Sequence, residues 1–257
     1  MPSQPAIPPL LWSHLQPASS KGSLGLVTSV LGASANWILL RQIYAALKVP
    51  SDQPVEATAV ILVSWLRGLE VWKDGARRLG LNLSPNGGIT CIDALQSGLG
   101  LQGDGIGEVE EVLLKAVDEA KATSTRILLV LDGIDFLLAA TEITVEDLLD
   151  CILELREHVH SSIISASADY PLIQRQHSPL EVDHAAFVMS IAHEADVIWG
   201  VRELDTGSAR DVSGVLRITR GPAIERNERV PGEDFEEKEL LYFVGGDGGV
   251  RVFERGS

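Results

Sequence analysis

The chain has 257 residues, of which 45 % are hydrophobic and 22 % charged, and its formal net charge is −15. This length suits one large domain with a substantial core, and the composition is that of an ordinary soluble globular protein. The acidic excess argues against free-standing binding to nucleic acid, because neutralising phosphates takes Lys and Arg; any RNA contact must come from a local basic patch or from partner subunits.

Residues 1–21 are rich in Pro and Ser and read as an extended N-terminal arm, leaving residues 22–257 as a single domain. The arm lacks the basic start and apolar core of a signal peptide. The best candidate for a membrane span, ILLVLDGIDFLLAA, is interrupted by Asp132 and Asp135, so no membrane partner is expected. Cys91 and Cys151 lie in apolar or amphipathic segments. They suit a reducing compartment and the role of small buried hydrophobes.

In chain order, GSLGLVTSV is an apolar run of strand length, and ANWILLRQIYAAL follows as a helix with Trp37, Leu40, Tyr44 and Leu47 on one buried stripe. ATAVILVS reads as a strand without alternation, the pattern of a sheet covered on both faces. WLRGLEVWKDGARRLGL is predicted helical, and SPNGG turns the chain into the strand ITCIDAL. A glycine-rich loop over 97–107 precedes a helix carrying Val109, Val112, Leu113, Ala116 and Ala120 on one side. RILLVLD is the most hydrophobic strand and ends on Asp132.

Thr144 opens the next helix, with Asp147 three residues on in a capping-box arrangement and a stripe of Val145, Leu148, Leu149, Ile152, Leu155 and Val159. The strand SSIISASAD leads through a polar loop between Pro171 and Pro179 to the helix DHAAFVMSIAHEA. Strands then dominate: DVIWGVREL, a turn at DTGSARD, VSGVLRITR, an acidic loop over 223–239, and a terminal hairpin over 240–254 whose turn is GGDGG. Alternating strands and helices followed by a β-rich end imply a mostly parallel sheet flanked by helices, with antiparallel strands finishing one edge.

Three motifs bear on chemistry. In VTSVLGASANWILLR a strand, a glycine turn and a helix form the scaffold of a phosphate-binding loop, with Gly32, Ala33, Ser34, Ala35 and Asn36 at the turn. Such a loop needs a Gly-Lys-Ser/Thr to reach the phosphates and hold Mg²⁺, and none is present. The nearest lysines, Lys21 and Lys48, precede the strand and end the helix. Asp132 stands where such ATPases place the carboxylate that organises Mg²⁺. Without the lysine, the plainer reading is that Asp132 and Asp135 flank a glycine turn.

GLGLQG satisfies G-x-G-x-x-G through Gly98, Gly100 and Gly103, but four residues intervene before any helical pattern, so a flexible loop is the better reading than a dinucleotide site. His158 and His160 lack the companions of a metal site. No catalytic residue and no metal is assigned. Gly32, Ala33, Ser34, Asn36 and Asp132 are read as a degenerate nucleotide-loop remnant.

The order of three segments, GSLGLVTSVLGASANWILLR, ILLVLDGIDFLL and HEADVIWGVRELDTGSARDVSGVLRITRGP, resembles the family of sixth subunits of Elongator, a eukaryotic complex that modifies wobble uridines of tRNA. The resemblance spans about residues 22–222. It implies a RecA-like three-layer ATPase fold without the standard phosphate loop, and a non-catalytic subunit, a pseudo-ATPase. It implies assembly with the fourth and fifth Elongator subunits into a hetero-hexameric ring that binds tRNA and supports modification of uridine 34. ATP would then be bound only in the assembled ring and not tightly by this chain alone.

The resemblance implies a cytoplasmic protein with the nucleus as a second compartment. Ring-facing loops would be DGIDFLLAATEIT and, more suited to RNA, DYPLIQRQHSPLE with Gln174, Arg175, Gln176 and His177. Trp199 and the final hairpin are candidate apolar surfaces for subunit contact. Two alternatives stay open: a self-sufficient P-loop-like NTPase with an atypical site, and a Rossmann-type dinucleotide enzyme.

Overall fold

The computed structural model describes residues 5–15, 21–48, 58–102, 105–205, 207, 209–223 and 235–254. Nine strands make one sheet: β1 (Ser23–Ser29), β2 (Thr58–Ser64), β3 (Ile89–Asp93), β4 (Arg126–Asp132), β5 (Ser161–Ser167), β6 (Val197–Arg202), β7 (Gly214–Arg220), β8 (Lys238–Val244) and β9 (Val250–Phe253). Their order across the sheet is β3-β2-β4-β5-β1-β6-β7-β8-β9. From β3 to β6 neighbours run parallel, and from β6 to β9 antiparallel.

The parallel strands β2 and β4 are apolar along nearly their whole length because both faces are covered. Leu24, Leu26, Ile61, Val63, Leu129 and Leu131 point into one core. It is closed by α5 (Ile106–Lys121), α6 (Phe136–Ala140), α7 (Val145–His158) and α8 (Pro179–Glu194). Val27, Val60, Leu62, Leu128 and Val130 point into the other, closed by α1 (Trp12–Leu15), α2 (Asn36–Leu47) and α3 (Leu69–Arg78). The short α4 (Ala94–Ser97) is capped by the Asp93 carboxylate, which accepts from the Gln96 N–H at 2.9 Å.

Several sequence expectations change. The described part of the expected arm, residues 5–15, is not extended: a 3₁₀ turn (Pro9–Leu11) runs into α1 and buries Leu11 and Leu15. Pro is tolerated in the first turn of a helix, and the apolar Leu residues gain from burial. In α2 the burial is not a single stripe. Every residue from Trp37 to Ile43 is buried, while Tyr44 and Leu47 are only half-buried, because α1 and α3 flank the helix as well as the sheet beneath it.

The helix predicted from Trp65 begins only at Leu69. Trp65, Leu66 and Arg67 form the turn after β2, and the backbone N–H of Leu69 is held by Asp93 at 2.8 Å. Trp199 offers no surface: it is fully buried and packs on Gly25, where a Cβ would overlap its ring. The expected acidic loop lies mostly outside the described residues, and its end at Lys238 and Glu239 already belongs to β8.

Thr144 forms the expected capping box with Asp147. α8 begins earlier than predicted, because Ser178 and Glu181 make a second capping box with Pro179 in the first turn. Among the described residues, no helix is long and apolar enough to cross a membrane.

Candidate functional site

The register of three adjacent strands places Ser64 beside Asp132 and Asp132 beside Ser165, a Ser–Asp–Ser row at one end of the sheet. Asp132 is fully buried, and every hydrogen-bonding position of its carboxylate is filled. The Ser165 hydroxyl donates to Oδ1 and the Ser64 hydroxyl to Oδ2, each at 2.7 Å. Arg67 Nη1 forks to both oxygens at 3.0 Å. A buried charge persists only when paired and hydrogen-bonded, and Asp132 has both conditions from within its own chain.

Arg67 also reaches the turn after β1, where its Nη2 donates to the Ser34 hydroxyl at 3.3 Å. Its backbone N–H donates to the Ser64 hydroxyl at 3.1 Å, which fixes the turn that carries it. One guanidinium thus ties the turn that resembles a phosphate loop to the strand-end carboxylate.

The backbone of the turn is engaged by the chain itself although Leu31, Gly32 and Ser34 are exposed. The Leu31 N–H donates to the Asp169 carboxylate at 2.9 Å, and the Ala33 N–H to the Val30 carbonyl at 2.9 Å. Gly32 adopts a φ of +91°, and the Glu203 carboxylate lies against it so closely that a Cβ would overlap it. Ser34 hydrogen-bonds the Asn36 side chain, and Ala33 and Ala35 are buried. A phosphate approaching this turn meets two carboxylates and no lysine. The residues present therefore do not fit a triphosphate with its metal ion. Gly32, Ala33, Ser34, Asn36 and Asp132 are brought into one neighbourhood, with Arg67 as the link between them.

Beside this row, Asp135 is buried and its Oδ2 accepts the Ser167 N–H at 3.0 Å. His184, on α8, donates through Nε2 to the Ser167 carbonyl at 2.8 Å and places Nδ1 3.9 Å from Asp135. Burial raises the Asp135 pKa, against lowering by the Ser167 N–H and by His184.

Gln174, Gln176 and His177 are exposed, but the first half of the expected loop is helical. Pro171–Arg175 is a single wide helical turn that ends on Gln176 in the left-handed region, φ 44°. The Gln176 amide donates to the Ile173 carbonyl at 3.2 Å, and the His177 N–H donates to Glu181 at 2.6 Å. Those backbone bonds from Ser178 and His177 lower the Glu181 pKa. Gln174, Arg175, Gln176 and His177 follow shortly after β5, whose Ser165 belongs to the strand-end row. The other expected ring-facing segment, around DGIDFLLAATEIT, contains α6 and is largely buried through Ile134, Leu137 and Leu138.

The turn at Gly98 and Gly100 is a packed helix end and not a flexible loop: Gly98 caps α4, and Trp65 Nε1 donates to the Leu99 carbonyl at 3.0 Å. Gly103 lies outside the described residues. The Gly100 N–H is held by Glu108 at 3.2 Å, an anion of the chain itself where a pyrophosphate would need to sit. Among the described residues, no group of three or more His, Cys, Asp or Glu could hold a metal ion.

No protein-family model matches the chain. Over 258 aligned residues it is 24 % identical to an Elongator complex protein 6 homolog of Schizosaccharomyces pombe, covering 96 % of this chain and 96 % of that protein. Among solved structures, a KaiC-like protein of the archaeon Pyrococcus horikoshii superimposes with a TM-score of 0.58 at 13 % identity, covering 98 % of each chain. The flagellar accessory protein FlaH of Methanocaldococcus jannaschii superimposes with a TM-score of 0.57 at 16 % identity, over 91 % of this chain and 90 % of that one.

The fold is RecA-like. It is a three-layer α/β architecture with a mixed parallel and antiparallel sheet. The sequence similarity is distant and consistent with a family-level relation to the Elongator subunit.

Serine and arginine at the strand ends gave no motif in the sequence. The phosphate-loop pattern points to a lysine as the cation near Asp132, whereas the ion pair is made by Arg67, 65 residues away along the chain. The usable signal was the polar end of two apolar strands, VS at Ser64 and ISAS at Ser165, next to the VLD of β4.

Proposed function

We propose that this chain is a non-catalytic, RecA-like subunit of an Elongator-type tRNA-modifying assembly. In this reading it joins the fourth and fifth Elongator subunits in a hetero-hexameric ring that binds tRNA and supports modification of wobble uridine 34. The observation that carries the non-catalytic part is the ion pair between Arg67 and Asp132, which commits the strand-end carboxylate to an internal cation. The similarity to the fission-yeast protein over nearly the whole chain supports the assembly context.

ATP bound in such a ring would have to rely on residues of neighbouring subunits for its phosphates. Gln174, Arg175, Gln176 and His177, on the turn after β5, are the group proposed to face RNA. The cytoplasm, with the nucleus as a second compartment, is the location that goes with this role, and residues 22–257 are taken as one domain.

Co-expression with the fourth and fifth subunits, followed by native mass measurement, tests the reading. It requires a stable hetero-oligomer of all three chains; a monomer with affinity for neither partner would refute it. Within that oligomer, Arg175→Ala should weaken tRNA binding and flatten its salt dependence, since each lost phosphate contact reduces the slope by about one.

A further inference from the structure

The strand-end site is closed, but a second concavity beside it is not. A cleft of about 450 Å³ opens between α2, α3 and the turn joining β8 to β9. Its walls include Trp37, Leu40, Arg41, Val71, Arg78 and Tyr242. Gly32, Ser34 and Asn36 of the turn after β1 also line it, whereas Asp132 and Arg67 do not.

Arg41 is the anomaly of this cleft. It is 2 % exposed. Nη1 donates to the Trp37 carbonyl at 2.8 Å, Nη2 makes a long 3.4 Å contact with the Gly248 carbonyl, and Nε has no partner. Arg78, at the cleft rim, donates from Nη1 to the Gly246 carbonyl at 2.6 Å. Neither guanidinium forms an ion pair among the described residues, although the protein carries 36 acidic against 21 basic side chains. Asp74 also lines the cleft but is paired with Arg77 at 2.7 Å. Burial pushes the Arg41 pKa down to about 10, the direction expected of a cation that lacks a counter-ion.

A desolvated guanidinium without an anion is costly, and its planar fork matches a carboxylate or a phosphate. One side of the wall is apolar and aromatic, with Trp37 and Tyr242 tilted against each other at 4.8 Å between ring centroids and Leu40 and Val71 alongside, and Ser34, Asn36 and Ser213 add polar groups. The volume falls in the range of small-molecule sites, which pair an apolar body with a few placed polar groups. We propose that this cleft binds a small organic anion, its acidic oxygens on Arg41 and Arg78 and its apolar body against Trp37, Leu40 and Val71.

The test is calorimetric titration of the purified chain with phenyl phosphate, benzoate, inorganic phosphate and Mg-ATP. An aryl phosphate or an aryl carboxylate should saturate at millimolar concentration or below, and the better of the two identifies the head group. Arg41→Gln and Arg78→Gln should each weaken that binding tenfold or more, whereas Lys115→Gln, on α5 across the sheet, should leave it unchanged. Arg78 is exposed, so its variant keeps the fold even if the Arg41 variant does not. The proposal is overturned if neither aryl anion saturates, or if Arg78→Gln binds as well as the parent. Inorganic phosphate binding as tightly as the aryl anions, or Mg-ATP binding that depends on Asp132 and not on Arg41, would overturn it as well.

Discussion

Arg67 Nη1 lies 3.0 Å from both carboxylate oxygens of Asp132, and the same guanidinium reaches Ser34 at the mouth of the turn after β1. In an ATPase built on this scaffold the two places are joined by a bound nucleotide and its metal; here they are joined by a side chain. Replacing Arg67 with Met should therefore destabilise the protein, leaving a buried carboxylate supported only by Ser64 and Ser165. The cost should be about 3 kcal/mol, the lower end for breaking a buried pair, because the Arg67 side chain keeps 20 % of its exposure. Adding Asp132→Asn should recover a large part of the loss. Urea denaturation of the two single variants and the double variant measures the coupling, and additive losses would contradict it.

Gly32 is the second point at which the turn is committed to its present shape. Its φ of +91° is a left-handed conformation that L side chains rarely adopt, whereas the exposed Glu203 carboxylate against it can swing aside. Gly32→Ala should cost about 1 kcal/mol from the left-handed backbone. In a Glu203→Ala background the same cost of about 1 kcal/mol should remain. Thermal melts of the four proteins check both values.

Asp135 gives the protein a signed pH dependence. Its folded pKa is raised above the ordinary 3.8, so the folded state holds that proton more tightly than the unfolded chain does. Stability from this group is full below the unfolded pKa and is lost as pH rises through the raised folded value. Asp135→Asn removes this response while an amide oxygen can still accept the Ser167 N–H. The stability difference, variant minus parent, should grow with pH across the window that begins near pH 4. Parallel melting curves from pH 4 to 8 would contradict the assignment.

Both thiols should be slow to react. Burial pushes the Cys91 thiol up to about 11 and the Cys151 thiol up to about 12, so at pH 8 little thiolate is present in the folded protein. Neither is bridged. Mass spectrometry after iodoacetamide at pH 8 should find both cysteines unmodified in the native protein and alkylated after denaturation.

The strands were legible because a sheet covered on both faces demands unbroken apolar runs, and VILV and RILLVLD are such runs. The degenerate turn was legible as well, since a phosphate loop without its lysine is visible as an absence at known spacing. What could not be read was the side-chain pairing across strands. Ser64, Asp132 and Ser165 come together only through the order β2-β4-β5, in which β3, between β2 and β4 in the chain, is displaced to the sheet edge.

Arg67 was hidden for a different reason. The segment WLRGLEVWKDG has helical periodicity throughout, while the Asp93 bond to Leu69 starts the helix four residues later and frees Arg67 to turn toward Asp132. The early start of α8 was written in the sequence, as Ser178-Pro179 followed by Glu181 is a capping signal on its own terms. Arg41 lies four residues after Trp37 and three before Tyr44, so helical spacing sets it beside the buried stripe, and the Gly248 turn that meets its guanidinium comes from the far end of the chain.

The claim that the strand-end site is closed by its own arginine is tested most directly by ATP turnover of the purified, monodisperse chain with Mg²⁺, compared with Asp132→Asn and Arg67→Lys. The account predicts that all three proteins give the same background rate. Turnover above background in the parent that Asp132→Asn abolishes would contradict it.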